Sequence, residues 1–222
     1  MKAAWRCWVQ RLRSHSLSGQ GLVETALLLP ILFLVLSGLV EFGFLMNDFM
    51  VVQDASRNAA RFAVDNAYNA RDGVHDCATT KDFYRQIGCV VNQELEREKP
   101  DVRIDFSTGI DDVVVSAFSV EGGNPPKVSA RFPEGEGEAG WSYSLDETGT
   151  RNQSSRFSSA QIAAKLSATA PSTGYVLVEV FYSYDQKLKL PWIDAFLADP
   201  VVFHVYTIMP LSSAEPTPTN IP

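Results

Sequence analysis

Histidine is scarce in this chain: 3 residues in 222, at His15, His75 and His204, far apart in sequence. Neither G-x-S-x-G nor H-E-x-x-H occurs, so the two most readable hydrolase signatures are absent. Basic residues are also in short supply, 19 Lys and Arg against 26 Asp and Glu, a net charge of −7. Nucleic-acid binding draws its affinity from Lys and Arg on phosphates, so this balance argues against such a partner. No internal repeat is visible. Gly135-Glu-Gly-Glu-Ala-Gly140 does spell G-x-G-x-x-G. No strand is expected to lead into it, and Glu134, Glu136 and Glu138 would repel a pyrophosphate, so it reads as a solvated loop. These absences leave no catalytic constellation, no cofactor and no enzyme reading of substance.

A second absence is positional. No Asp or Glu occurs before Glu24, whereas Lys2, Arg6, Arg11 and Arg13 do. The chain from Glu24 onward therefore carries 15 basic against 26 acidic residues, a net −11. From Leu22 to Met46 the only ionisable residues are Glu24 and Glu41. A helix of about 25 residues at about 1.5 Å each is long enough to cross a hydrocarbon core of about 30 Å. Basic flanks stay on the cytoplasmic side. The sequence thus predicts a single-pass anchor in a cytoplasmic membrane, N-terminus inside and an acidic domain outside. A cleaved secretory signal peptide is the rival. The apolar run is longer than such a peptide's apolar core, and no clean small-x-small site follows it.

The 3 cysteines fit this layout. Cys7 falls in the basic head, where the cytosol keeps thiols reduced. Cys77 and Cys89 fall outside, where disulfides persist, and the spacing predicts that they pair. Such a bridge closes a loop of about 13 residues, worth roughly 3 kcal/mol by chain entropy. The other use for these residues, zinc held by His75, Cys77 and Cys89, is one ligand short of a structural site.

Periodicity supplies the elements. Val52, Ala55, Ala59 and Phe62 continue the first helix as a one-faced stripe, fading near Asn69 to Gly73, and Pro30 predicts a kink or loosened turn. A second helix is expected over Thr80 to Lys99, before Pro100. Val102–Phe106 and Val113–Val120 read as a strand hairpin, and Lys127–Phe132 as a short strand. Ser158 and Gln161 form a capping box opening a helix to about Ala168. Tyr175–Tyr184 alternates as a strand, with Glu179 on its wetter face, and Val201–Met209 is the last strand. The stretch between these two should bury Trp192 and Phe196. The sum is an α+β protein: a long N-terminal transmembrane helix, then an extracytoplasmic domain with a helix and an antiparallel sheet. The expected divisions are a basic leader over 1–19, the helix over 20–70, the domain over 71–211 and a disordered tail over 212–222.

The two carboxylates in the apolar run are the unusual feature. They are 17 positions apart, about 25 Å along a helix, so each lies near one end of the span. At the ends a carboxylate costs less than the roughly 2.5–3.5 kcal/mol of the bilayer centre. Glu41 is expected to snorkel to the interface. Glu24 stands in Gly19-Gln-Gly-Leu-Val-Glu24. This resembles a prepilin peptidase site, with cleavage between Gly19 and Gln20 and Glu at the fifth position of the new N-terminus. The wider set, with Pro30, Gly38-Leu-Val-Glu-Phe-Gly43 and Ala59-Ala-Arg61, resembles the TadE-like domain of minor pilins in tight-adherence (Flp-type) pilus systems. One position departs: Thr25 stands where that family has an aromatic. The resemblance implies processing at Gly19 and Gln20, and assembly through Glu24 and Glu41. Its implied partners are the membrane, a prepilin peptidase and other pilus subunits. A generic anchored surface domain and a secreted enzyme with an unrecognised site are the alternatives.

Overall fold

The structure, a computed structural model, describes residues 2–66, 72–167, 172–194 and 197–211, with side-chain surroundings from Gly21 onward. The chain divides into two compact units, Met1–Leu45 with Gln186–Ala198, and Met46–Asp185 with Asp199–Pro222.

The first helix, α1, runs over Lys2–Asp65. It passes Pro30 without a break in helical assignment. Its expected fading near Asn69 falls largely outside the described residues. In the first unit α1 carries exposed apolar side chains from Leu22 to Phe44. The Thr25 hydroxyl donates back to the Gly21 carbonyl (2.8 Å), so it needs no water.

The second unit is an α+β domain. Its five-stranded antiparallel sheet has β1 (Asp112–Glu121), β2 (Lys127–Phe132), β3 (Trp141–Ser142), β4 (Thr173–Tyr184) and β5 (Val201–Pro210). The order is β2-β1-β4-β5, with β3 also on β1. β1 and β4 are central and buried on both faces, which is why β1 reads as an almost continuous apolar run. Period-two geometry sorts the residues. Val113, Val115 and Ala117 lie opposite Val180, Val178 and Val176 on one face. Here the 46–65 part of α1 packs through Val52, Ala55, Ala59 and Ala63, small residues that let the helix approach closely. Its Ser56 hydroxyl is 3.0 Å from that of Thr207 on β5. On the other face Phe118, Val120, Tyr175 and Leu177 close over Ile162 of α4 (Ser159–Lys165). The domain is therefore three layers thick around one sheet.

Helix α2 (Phe83–Glu98) starts at its N-cap Asp82, whose carboxylate accepts from the Tyr84 and Arg85 amides, and stops at Lys99. The capping box of Ser158 and Gln161 forms, and α4 ends at Lys165. Three expectations need correction. Val102–Phe106 is not a strand: Val102 and Ile104 are buried, but Asp105 caps a single 3-10 turn over Phe106–Thr108. No vacancy exists for it on β1, whose edges are taken by β2 and β3 on one side and β4 on the other. Glu179 is not on a wet face. It is fully buried, accepting from the Arg156 amide (3.0 Å) and bonded to His204 Nε2 (2.8 Å) beneath the segment that leads to α4. The glycine-rich stretch is not a freely solvated loop. β2 ends close before it, and Glu136 pairs with Arg151 while Glu138 pairs with Arg131 and caps Ser159. β3, not a helix, follows Gly140, which keeps its phosphate-loop resemblance nominal. Gly140 itself is required, since at φ +74° a Cβ would lie 2.5 Å from Ser116 Oγ.

Cys77 and Cys89 are joined, their Cα atoms 5.7 Å apart, tying the turn before α2 to the middle of that helix. The bridge consumes both thiolates that a zinc site would have needed. Denatured, unreduced protein that retains residues 1–19 should offer one alkylatable thiol, Cys7, and all 3 cysteines after reduction. Cys77→Ser should lower unfolding free energy by about 3 kcal/mol. A second free thiol before reduction would refute the pairing.

Candidate anchor and assembly site

The apolar length of α1 defines the site. Among the described residues, the Gly21–Asp65 part of α1 is the one helix long and apolar enough to cross a membrane. Leu27, Ile31, Leu32, Leu39 and Phe42 are all more than half exposed, and a soluble protein does not leave such side chains to water in so long a run. Glu24 is exposed within this apolar belt. Gly19 and Gln20 lie in the helical backbone of α1 just before it.

Glu41 behaves differently from the expectation of a snorkelling side chain. It is only 1% exposed. One carboxylate oxygen accepts the Lys187 amide and the other the Leu188 amide, each at 2.8 Å. A carboxylate holding two N–H groups is stabilised by charge-assisted bonds and by exclusion of competing water. One helical turn earlier, the Ser37 hydroxyl donates to the Leu34 carbonyl and accepts the Trp192 indole N–H (3.0 Å). One turn earlier again, the Phe33 ring meets Trp192 edge-on, with centroids 5.9 Å apart. Phe33, Ser37 and Glu41 are spaced by four, so they form one face of α1. The chain between β4 and β5 folds back onto that face. Trp192 is half-buried there and Ile193 is buried; Phe196 lies outside the described residues. Glu24 and Glu41 are thus not brought together, and they differ in kind: one faces outward from the span, the other holds a loop.

In the sheet domain α1 is clamped by charge. Asp48 is fully buried and pairs with Lys99 at the end of α2. Asn58 donates to Glu94 of α2 (3.0 Å). Arg85 of α2, almost wholly buried, pairs with Asp146 and Glu147 at α3 (Tyr143–Thr148) and donates to the His75 carbonyl (2.9 Å). Burial beside this cluster pushes the Tyr143 phenol up to about 12, with the Glu147 charge adding to the effect. These groups lock elements to one another. Sequence patterning missed Asp48, since a single acid inside an amphipathic run looks like a solvated position. It also missed the contact of Gln186–Ala198 with α1, for which the only signal was Leu190-Pro-Trp-Ile193, apolar beyond the needs of a turn.

Residues 19–61 match the family model described as TadE-like protein. This segment of the chain resembles the TadE-like family. The match begins at Gly19, covers Glu24, Pro30 and Glu41, and ends at Arg61, so it takes in the span and the first turns of α1 beneath the sheet. No curated protein and no solved structure matches the chain significantly. The matched segment covers the apolar part of α1 and the start of the part that packs on the sheet.

Proposed function

We propose that this chain is a membrane-anchored minor pilin or pseudopilin-like subunit of a bacterial tight-adherence pilus assembly system. It is a structural component rather than a catalyst. The basic leader lies in the cytoplasm, α1 crosses the cytoplasmic membrane, and the α+β domain is presented outside to other pilus subunits. The carrying observation is that a TadE-like segment opens with Gly19-Gln-Gly-Leu-Val-Glu24 and continues directly into a lipid-length apolar helix. A prepilin peptidase removes the leader after Gly19. The freed amine of Gln20 then gives Glu24 of a neighbouring subunit a counter-charge in the membrane, where a paired carboxylate is far cheaper than a lone one. The leader's 4 basic residues and the −11 net charge beyond support the orientation. The acidic domain argues against nucleic acid as a partner.

Mass spectrometry of the membrane-extracted protein, from cells that contain the cognate peptidase, tests the reading. The expected mature chain starts at Gln20, and Gly19→Leu should leave the leader in place. An N-terminus at Met1 or Lys2 in the parent protein would make a plain single-pass anchored surface domain the better description.

A further inference from the structure

We propose that the Gln186–Ala198 segment is a second membrane contact. Its described residues lie against α1 in the outer leaflet, with an acyl chain in the groove they form with the helix, Trp192 below the headgroups and Lys189 at the phosphates. This rests on the membrane-anchored reading of α1 and adds to it a loop far away in sequence.

Position is the first argument. The segment touches α1 at Phe33, Ser37 and Glu41, inside the apolar run, over about 12 Å of helix axis. At the same level Leu36, Leu39 and Val40 on the other faces of α1 stay exposed. The lipid that solvates those side chains reaches the loop as well.

Backbone satisfaction is the second. Irregular chain survives at lipid depth only where its polar groups find partners inside the protein. Here the Lys187 and Leu188 amides go to Glu41, the Ile193 amide to the Leu190 carbonyl and the Leu197 amide to the Ile193 carbonyl. The Gln186 side-chain amide closes the loop on the Leu197 carbonyl (3.1 Å), and the Trp192 indole goes to Ser37.

The surface chemistry is the third. Between loop and helix runs an apolar groove of about 290 Å³, lined by Leu34, Gly38, Phe42, Trp192, Ile193 and Leu197 among others. It is continuous with the lipid-facing belt of α1, which makes an acyl chain its occupant. Lys187 and Lys189 are exposed, alternating with half-buried Leu188 and Leu190 before Pro191 and Trp192. Against these two lysines stand exposed Asp194 and, just outside the segment, exposed Asp185 and Asp199, so the basic surface is confined to the Lys187–Lys189 stretch. Glu41 stands near the end of the span, so the lysines beside the amides it holds sit at the headgroup boundary, whereas Trp192, on Ser37 and Phe33, lies one to two turns deeper with its indole N–H taken by Ser37.

The test uses the full purified chain in phosphatidylcholine–phosphatidylglycerol vesicles. Tryptophan emission is compared between the parent and Trp192→Phe, so that the difference isolates Trp192. The Trp192 component should be quenched about twofold by phospholipid brominated along its acyl chains below the glycerol, and only weakly by aqueous iodide. A nitroxide on Lys189→Cys, in a Cys7→Ser background, gives the same information from an exposed position. It should report polar headgroup surroundings that shift on removal of the anionic lipid. Iodide quenching without bromolipid quenching overturns the proposal. So does quenching that appears only when protein is diluted in lipid, which gives the groove to a second copy. Alkaline carbonate extraction separates the two readings. A chain released by carbonate defeats both, whereas a retained chain with an aqueous Trp192 defeats only this one.

Discussion

Asp112→Ala is expected to destabilise the sheet domain by about 4 kcal/mol or more, enough to unfold it near physiological temperature. Asp112 is fully buried at the first position of β1. Its Oδ1 accepts the Val113 amide (2.8 Å) and the Ser144 amide (2.9 Å). Its Oδ2 accepts the Ser142 hydroxyl (2.7 Å), the Ser144 hydroxyl (2.8 Å) and the Gln153 amide (3.0 Å). Alanine would leave these donors facing a dry cavity, and each orphaned buried donor costs about 1–3 kcal/mol. The loss would spread. Ser142 also caps α3 through the Leu145 amide (3.1 Å), and Ser144 accepts the Asn152 amide (2.9 Å). One carboxylate thus joins β1, β3, α3 and the strap that leads to α4. Asp112→Asn keeps one acceptor oxygen, and serine hydroxyls can rotate to accept from its amide, so it should cost about half as much. Chemical denaturation of the full chain in detergent, followed by near-ultraviolet dichroism, measures both. An Asp112→Ala midpoint equal to the parent's would show that the network adds nothing.

That network was illegible in the sequence, and the reason is physical. Asp112 follows Asp111 in Thr108-Gly-Ile-Asp-Asp, which reads as a turn. Only the arrival of β3 and α3, about thirty residues later, encloses its carboxylate. β3 itself is two residues long, too short for any alternation, and it exists because β1 offers an open edge beside Val114 and Val115. The opposite case is Val102–Phe106, whose apolar alternation was genuine and whose burial followed. Its strand pairing did not, since pairing depends on a free edge, which only the assembled sheet determines. Glu179 shows the same limit: alternation identified its face correctly, but the cover over that face comes from Arg156, Phe157 and α4. Local signals were sufficient where one element carries its own instructions. α1 has length and apolarity, α2 has an Asp82 cap and a Pro100 stop, α4 has a capping box, and β4 has an unbroken Val-Tyr alternation. Within the anchor, the sequence placed Glu24 and Glu41 at the two ends of the span. It had no means of showing that Glu41 meets the Lys187 and Leu188 amides, a contact across 146 positions.

Glu24→Ala should leave insertion and folding intact and abolish co-purification of partner pilus subunits. Replacing a carboxylate in the apolar run by a methyl makes the span more apolar, so insertion becomes easier. The sheet domain is untouched, because Glu24 belongs to the unit that ends at Leu45 and none of the domain's buried residues contacts it through a described hydrogen bond or ion pair. If Glu24 supplies the counter-charge for the amine of a neighbouring Gln20, alanine leaves that ammonium alone in lipid. Removing one member of a buried ion pair costs about 3–5 kcal/mol, a factor of roughly 150 to several thousand in association. Glu41→Ala provides the contrast. It frees two loop amides and should raise hydrogen exchange at Lys187 and Leu188 while partner recovery falls far less, because its carboxylate is already satisfied within its own chain. Both variants are expressed with the cognate peptidase, insertion is scored by protease protection, and partner subunits are counted in the detergent extract. Glu24→Ala that recovers partners as the parent does would remove the intersubunit pairing and leave α1 as an anchor alone. Equal loss in Glu41→Ala would instead move the assembly surface to the loop-bearing end of the span.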